Sequence, residues 1–316
     1  MKIAYLVVAH RNPVLLRREI YALISQDADF FVHIDGKRDL RPFEQLKSPQ
    51  VIFLEKRWPI HWAGFSIVRA ILSLMSSALR GPQDYDYFVL LGASEYPLRS
   101  RKYIHDFFEE YRGSEFIDMV KLPNELARKP LSHVNKYCLE SSSLLVRRLG
   151  GLVARFGLLE RDYRKHCREL EPYGGEMWWA LTRGACEHIL QFTQDRPEAV
   201  KFFHNVQVPD ETFIHTVLGN SAFAGRIRRN LCYRDWSGGG RHPATISERH
   251  LTMFAAADEV IQDDVFGAGE ALFARKFSDE DLHLLDRIDQ MIATKEGRLG
   301  SRSNASTTAN CADLAN

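Results

Sequence analysis

The sequence is poor in the features that mark disulfide-rich, zinc-binding or nucleic-acid-binding proteins. Its five cysteines are scattered, and none forms a C-x-x-C pair. This pattern argues against a disulfide scaffold and a structural zinc site, and it fits a reducing compartment. Basic and acidic side chains are nearly balanced, 42 against 41, so no polyanionic partner is required and nucleic-acid binding is disfavoured.

Long apolar runs and glycine-rich phosphate-binding motifs are also missing. The first apolar run ends before His10 after six or seven residues, which is too short for a signal-peptide core or a membrane anchor. We therefore expect a cytoplasmic protein. Neither G-x-G-x-x-G nor G-x-x-x-x-G-K-[ST] occurs, which weakens a dinucleotide enzyme or a P-loop kinase.

The apolar pattern predicts strands that alternate with helices. The runs IAYLVVAH, DFFVHIDGKRD and YFVLLGASEYPLRS begin as buried strands and end in polar loops, whereas NPVLLRREIYALIS and IVRAILSLMSSALR have helical spacing. This alternation predicts βαβ units and a mainly parallel, twisted α/β sheet flanked by helices.

Polar side chains follow three of the predicted strands. Ligands of such sheets bind beyond the carboxyl ends of the strands. A nucleotide or nucleotide-sugar pocket therefore fits the residues at these ends, which are His10 and Arg11, Asp35 and Lys37, and Ser94 and Glu95.

Residues 147–165 combine Leu, Val and Phe with several arginines. They could lie on a membrane surface as a basic amphipathic helix, which would give the protein peripheral contact with the inner face of the membrane. An ordinary surface helix pair or a loop insertion is the simpler interpretation, because solvated basic faces are common.

The stretch VQVPDETFIHTVLGNS places two carboxylates against a helical apolar pattern. Pro209 is predicted to open the helix, and Asp210 and Glu211 then fall in its first turn. One interpretation is that they stabilise the helix start. The other is that one of them faces a cleft as a catalytic base.

Seven motifs in the same order resemble the core-2/I-branching glycosyltransferase family, which includes β-1,6-N-acetylglucosaminyltransferases and peptide O-xylosyltransferases. The resemblance runs from about residue 1 to about residue 278. It implies a glycosyltransferase-A fold, a UDP-sugar donor, inversion at the anomeric carbon and no metal. The motifs are AYLVVAHRNP, FFVHIDGKRD, WAGFSIVRA, YFVLLGASEYPLRS, GGEMWWALTR, VPDETFIHTVL and ALFARKFS.

The resemblance also implies roles at the reacting centre. Glu211 is the expected base, and Asp210 either orients the acceptor or caps the helix. Lys276 matches the lysine that contacts the donor diphosphate, and Arg241 is its expected partner by spacing. Arg234 and Arg275 are alternatives to Arg241, since arginine and lysine make charge-assisted hydrogen bonds to phosphate.

Further residues are expected to hold the two substrates. The nucleoside site is predicted to contain Val8, His10, Asp35 and Trp62, although Trp62 could equally be a packed aromatic residue. The acceptor side is predicted to contain Glu95, Glu176, Trp178, Asp210 and Trp236. By strand alternation, at least one of the neighbouring tryptophans 178 and 179 should lie in the core.

One Asp-x-Asp pair, Asp84 and Asp86, could in principle hold a divalent ion. It precedes its strand, and so would lie at the wrong end of the sheet. We interpret both residues as solvated and expect no metal cofactor. The twelve histidines form no H-E-x-x-H set and are expected to be structural or solvated.

Together these features predict a single glycosyltransferase domain over residues 1–280, with a nucleotide-binding half (1–115) and an acceptor and catalytic half (116–280). A helix is expected at 281–298 and a disordered tail at 299–316. The predicted reaction moves GlcNAc or xylose from a UDP-sugar to a hydroxyl of a glycan or lipid-linked glycan. The alternatives are a metal-dependent glycosyltransferase of another family and a non-catalytic carbohydrate-binding protein.

Overall fold

The computed structural model describes residues 1–138, 140, 161–240 and 242–312. The strands are β1 (Ile3–Ala9), β2 (Ala28–Ile34), β3 (Val51–Phe53), β4 (Tyr87–Gly92), β5 (Glu95–Pro97), β6 (Glu115–Lys121), β7 (Tyr173–Thr182), β8 (Ile227–Arg228), β9 (Cys232–Arg234), β10 (Ile261–Asp264), β11 (Gly267–Glu270) and β12 (Phe273–Arg275).

The α-helices alternate with these strands in the first half of the chain. They are α1 (Pro13–Leu23), α2 (Arg41–Glu44), α3 (Ser66–Leu79), α4 (Arg101–Glu110), α5 (Ser132–Asn135), α6 (Tyr163–His166), α7 (Arg183–Asp195), α8 (Pro197–Phe203), α9 (Phe213–Gly219), α10 (Glu248–Ala256) and α11 (Leu282–Ala312). None of the helices in the described ranges has both the length and the apolar character needed to cross a membrane.

The main sheet has seven strands in the order β3-β2-β1-β4-β7-β6-β8. Adjacent strands in this sheet are parallel, except that β7 is antiparallel to both β4 and β6. The predicted mainly parallel α/β sheet flanked by helices is therefore confirmed. The reversal at β7 could not be deduced from the strand's own sequence, because its apolar pattern is the same in either direction.

Both faces of the sheet are covered, which explains the continuous apolar runs. On β1, Ala4 and Leu6 join the core that contains α3, whereas Tyr5 and Val7 join the core on the opposite face, which contains α1 and α4. Alternate side chains of a strand point to opposite faces, so a strand covered on both sides is apolar at nearly every position. These two cores hold the carboxyl edge of the sheet in place.

A second, three-stranded sheet has the order β5-β12-β9. In its register Arg275 lies opposite Glu95 on one side and opposite Arg234 on the other. Glu95 and Arg234 therefore lie in one row with Arg275, although they are 180 and 41 positions away from it in the chain. This small sheet carries Arg234 and Arg275, and Lys276 directly follows its strand β12.

Two sequence expectations about helices differ from the structure. Pro209–Glu211 forms a separate 3₁₀ turn, and the α-helix begins only at Phe213. The two carboxylates therefore precede α9 instead of lying in its first turn, because Thr212 has a non-helical φ of −135°. In addition, α11 runs to Ala312, past the helix end expected at 298; no proline interrupts this segment.

The basic stretch 147–165 lies outside the described residues, apart from 161–165. The proposed membrane contact therefore stays a sequence expectation.

Helix α1 carries a buried carboxyl that yields a first prediction. Glu19 is fully buried, and neither of its oxygens has a hydrogen-bond partner among the described residues. Burial, and then the negative charge of Glu95, raise the pKa of Glu19 well above its ordinary value. Because the folded-state pKa is the higher one, the contribution of this proton to stability is present below the unfolded pKa and is lost as pH rises through the folded pKa.

We therefore expect Glu19→Met to stabilise the protein at pH 8 by about 1 kcal/mol or more, since burying an unpaired polar group costs that much. The gain should shrink toward pH 4, and urea denaturation at several pH values measures it. Glu110→Met, on the exposed face of α4, is the matched control. A Glu19→Met variant that is less stable than wild type at every pH would contradict the interpretation.

Candidate active site

A cleft of about 470 Å³ lies beyond the carboxyl ends of β1, β2 and β4, and a hollow of about 530 Å³ adjoins it. Both volumes are lined by Trp62, Ala63, Glu176, Asp210, Glu211, His242, Arg275 and Lys276. The structure thus brings together residues from five strands and the Pro209–Glu211 turn. The predicted position of the pocket at the strand ends agrees with this geometry.

The Pro209–Glu211 turn places two carboxylates in the cleft. The Glu211 Oε2 atom lies 2.6 Å from Lys129 Nζ. Burial raises the pKa of Glu211 above its ordinary value, and the adjacent Lys129 ammonium offsets part of that rise. Burial and the Glu211 charge raise the pKa of Asp210 to about 7, and its Oδ1 atom has no hydrogen-bond partner in the described ranges. The two carboxyls therefore differ: Glu211 pairs with a cation, whereas Asp210 forms no ion pair with any residue that the structure describes.

Glu176 is held by cations on both of its oxygens. Oε1 lies 3.5 Å from Lys129 Nζ, and Oε2 lies 3.1 Å from the guanidinium of Arg234. Although burial raises it, these cations hold the pKa of Glu176 below its ordinary value. Arg234 also pairs with the buried Asp118. Glu176 is thus an ionised carboxylate that lines the cleft, and it can accept hydrogen bonds from hydroxyl groups.

Arg275 and Lys276 line the cleft as well. The Arg275 guanidinium lies 2.7 Å from Glu95 Oε1 and packs over the Trp178 ring at 4.7 Å from its centroid. Burial, and then the charges of Arg11 and Arg275, lower the pKa of Lys276. A lysine whose charge is disfavoured by its surroundings gains most from an anionic ligand.

The three arginines considered as partners of Lys276 lie in different places. Arg241 lies outside the described residues, so its predicted role stays a prediction. Arg234 points into the interior, where Asp118 and Glu176 occupy it. Arg275 lines the cleft next to Lys276. Among the described candidates, Arg275 is therefore the one placed to meet a ligand together with Lys276.

The four predicted nucleoside residues all line the cleft. The Asp35 carboxylate is largely engaged, since its Oδ1 accepts hydrogen bonds from the backbone amides of Lys37 at 3.0 Å and Ile60 at 3.1 Å. Trp62 is 75% exposed, so the alternative of a packed core aromatic does not hold. His10 is exposed and directly follows β1, and Val8 lies two residues earlier, within the strand.

Glu95 and Trp178 are more buried than an acceptor contact suggests. The Glu95 Oε2 atom accepts the Gly92 amide at 2.7 Å, and a Cβ at Gly92 would lie only 2.8 Å from that oxygen. Trp178 is 7% exposed and Trp179 is 3% exposed, which agrees with the alternation argument. The geometry favours a supporting role for Glu95 and Trp178, and their acceptor contact stays a prediction.

Trp236 is 45% exposed and lines the adjoining hollow together with Trp62. Two exposed indole rings therefore border one hollow beside Glu211. Aromatic faces of this kind pack against the apolar faces of ligands.

Asp84 and Asp86 lie at the other end of the sheet, as predicted. Asp84 is solvent-exposed and pairs with Arg183 at 3.2 Å, whereas Asp86 accepts the Lys2 amide at 2.7 Å and pairs with Arg112. In the part of the chain that the structure describes, no three His, Cys, Asp or Glu side chains could hold a metal ion together.

Three features of the site were not predicted from the sequence: Lys129, Asp118, and the buried pairing of Arg234 with Asp118 and Glu176. Lys129 lies in the segment LPNELARKP, which matches no motif. Asp118 lies in β6, where polar and apolar residues are mixed. His215, expected to be structural or solvated, is buried, and its ring lies 3.0 Å from the Glu176 carbonyl oxygen. It is structural, and its pKa is lowered to about 3 by burial.

Comparison with known proteins places the chain in a family. The family model described as "Core-2/I-Branching enzyme" matches residues 3–255. Xylosyltransferase 2 of Rattus norvegicus is 26% identical over 248 residues, which are 75% of this chain and 27% of that protein. A xylosyltransferase of Ciona intestinalis is 24% identical over 246 residues, with the same two shares of 75% and 27%. The chain spans about a quarter of the length of these curated relatives.

Solved structures resemble the chain more distantly. The apo form of mouse xyloside xylosyltransferase 1 has a TM-score of 0.37 and 10% identity, over 86% of this chain and 97% of that chain. A 4-diphosphocytidyl-2C-methyl-D-erythritol synthase has a TM-score of 0.31 and 11% identity, over 64% and 85%. TM-scores this low carry no argument about activity.

A mainly parallel sheet with helices on its faces and a charged cleft at its carboxyl edge defines an α/β protein that binds its ligands at that edge. Because the family model covers most of the chain, the chain belongs to the core-2/I-branching enzyme family. The family predicted from the seven sequence motifs is thereby confirmed.

The pair of Glu95 and Arg275 generates a second prediction. Glu95 is fully buried, and removing one partner of a buried ion pair leaves the other charge uncompensated. We expect Glu95→Gln to lower the free energy of unfolding by about 3 kcal/mol, as measured by urea denaturation. Asp84→Asn, which breaks an exposed ion pair, is the control and should change it by less than about 1 kcal/mol. Equal effects of the two substitutions would contradict the supporting role.

Proposed function

We propose that the chain is an inverting, metal-independent glycosyltransferase that moves GlcNAc or xylose from a UDP-sugar to a hydroxyl of a glycan or lipid-linked glycan. One observation carries this proposal: a carboxylate, Glu211, and two adjacent cations, Arg275 and Lys276, line the same cleft. Membership of the core-2/I-branching enzyme family supports it, as does the xylosyltransferase name of the relatives.

The donor diphosphate is assigned to the side of the cleft that carries Arg275 and Lys276. When the bond between the anomeric carbon and the phosphate oxygen breaks, its electron pair leaves with UDP, and negative charge grows on the diphosphate. Fixed cations lower the energy of that charge without an ion that must bind and dissociate. Arg241 is retained as a further candidate for this role on the basis of its spacing.

The acceptor hydroxyl is assigned to the side of Glu211. As its oxygen forms the new bond to the anomeric carbon from the face opposite UDP, its proton passes to the Glu211 carboxylate. A carboxylate suffices as a general base when the hydroxyl becomes acidic during bond formation. Glu176, Trp62 and Trp236 border the adjoining hollow, and we assign the acceptor sugar to it: the carboxylate accepts hydroxyl hydrogen bonds and the rings pack against the sugar face.

Glu211→Gln tests the assignment of the base. The amide keeps the size of the side chain but cannot take a proton, so we expect turnover to fall on the order of 100-fold or more, while UDP still raises the melting temperature. Steady-state kinetics and thermal shift measure the two effects. Glu187→Gln, at an exposed position of α7, is the control. Turnover of Glu211→Gln within a few-fold of wild type would show that Glu211 is not the base.

A panel of UDP-sugars with EDTA tests the donor site. We expect transfer to persist in EDTA and in the double variant Asp84→Asn, Asp86→Asn, and we expect Lys276→Ala to weaken UDP binding about tenfold, as the loss of one charge-assisted hydrogen bond does. Calorimetric titration with UDP measures the affinity, with exposed Lys102→Ala as the control. Loss of activity in EDTA would favour a metal-dependent enzyme, and UDP binding without transfer of any sugar would favour a carbohydrate-binding protein.

A further inference from the structure

Five buried or half-buried side chains of alternating charge form a chain that ends at Glu211. Asp118 on β6 pairs with Arg234 on β9, Arg234 lies 3.1 Å from Glu176 on β7, Glu176 lies 3.5 Å from Lys129, and Lys129 lies 2.6 Å from Glu211. Asn230 closes the far end, where its backbone N and its Nδ2 donate to the two oxygens of Asp118 at 2.9 and 2.8 Å. The chain is thus anchored at one end in the sheet and open to the cleft at the other.

Of the charged side chains in this row, Lys129 is the one that contacts Glu211 directly. Its side chain is 8% exposed, so water cannot stabilise its ammonium and the neighbouring carboxylates must do so. Burial lowers the pKa of Lys129, but Glu211 and Glu176 raise it by more, and it ends above its ordinary value. The ammonium is therefore permanently charged at working pH.

The backbone around Lys129 is also fixed. The amide of Asn124 donates to the Lys129 carbonyl at 2.8 Å, the amide of Lys129 donates to the Asn124 carbonyl at 2.9 Å, and the Asn124 side chain accepts the Ala127 amide at 2.9 Å. A paired backbone of this kind limits the positions that the ammonium can reach. Since Lys129 contacts Oε2 of Glu211, it leaves Oε1 as the oxygen available to another group.

We propose that Lys129 is a positioning residue for Glu211: it holds one carboxylate oxygen, keeps the carboxylate ionised, and directs the other oxygen to the acceptor hydroxyl. This inference rests on the proposed function, in which Glu211 is the base. It gives the row of alternating charges a catalytic as well as a stabilising role. Glu176 is held by Arg234 and also pairs with Lys129, so its charge determines how strongly Lys129 lowers the pKa of Glu211.

The sign of the effect follows from the charges that surround Glu211. An opposite charge nearby favours the ionised carboxylate, and a like charge disfavours it. Loss of Lys129 should therefore raise the pKa of Glu211, whereas loss of the Glu176 charge should lower it. Among the described residues, the charged and titratable groups that act on Glu211 or line the cleft with it are Asp210 on its own turn, Lys129, Glu176 on β7, Arg234 on β9, Arg275 and Lys276 at the end of β12, and His242. His133 and His215 interact with the charge of Lys129.

The pH dependence of kcat/KM tests this inference, because its acidic limb reports the ionisation of the free enzyme's base. We expect Lys129→Met to move that limb to higher pH by about one unit, which lowers activity on the limb about tenfold, and Glu176→Gln to move it to lower pH. Lys129→Arg should keep the limb near its wild-type position. Lys121→Met removes a neighbouring exposed lysine that pairs with Glu171 and should leave the profile unchanged.

A purely structural role would not produce shifts of opposite sign. Folded Lys129→Met protein that binds UDP like wild type but keeps the wild-type acidic limb would overturn the proposal, as would a Glu176→Gln limb that moves to higher pH. If Lys129→Met fails to fold, Glu176→Gln and Lys129→Arg still decide the matter.

A second readout separates this inference from the proposed function. Carboxyl ¹³C shifts of glutamate-labelled protein, with Glu211→Gln to assign the resonance, follow the ionisation of Glu211 without turnover. An upward shift of its midpoint in Lys129→Met together with no transfer by the wild type would refute the enzymatic role and leave the effect of Lys129 on Glu211 intact. An unchanged midpoint in a transferring enzyme would refute the inference alone.

Discussion

The cleft depends on one constraint, which is that a charge removed from water must lie against an opposite charge. Lys129 and Arg234 are almost fully buried, and each lies against two carboxylates. Arg275 is likewise held by Glu95. Truncating one member of such a pair is costly because the remaining charge stays buried. Glu176, Glu211 and Arg275, which line the cleft, are therefore held in place before any ligand arrives.

Preorganised charge of this kind suits group transfer. Charges that are already oriented need no rearrangement as new charge develops during the reaction. The two sides of the cleft carry opposite assignments in the proposed reaction: cations of the small sheet face the departing diphosphate, and the carboxylate of the Pro209–Glu211 turn faces the incoming hydroxyl.

Much of the fold and part of the site could be predicted from residues close together in the chain. Strand β1 was predictable because burial on both faces requires an unbroken apolar run, and the pocket was predictable because parallel strands end at one edge. The position of Asp84 and Asp86 at the other end of the sheet could be predicted because they precede their strand. Lys129 could not be found, because it carries no motif and is 82 residues from its partner Glu211. The boundary of α9 was wrong because proline is compatible with both a 3₁₀ turn and an α-helix.

The sequence by itself determined the alternation of strands and helices and the edge where polar residues collect, since both are written in local patterns of apolar and polar residues. The family followed from the resemblance of seven short motifs in the same order. Only the tertiary structure decided the direction of β7, the burial of Arg234 against Asp118 and Glu176, the pairing of Arg275 with Glu95 at the cleft, and the contact between Lys129 and Glu211. The physical reason is that ion pairing depends on distance in space: a few ångströms in the folded protein correspond here to tens of residues along the chain.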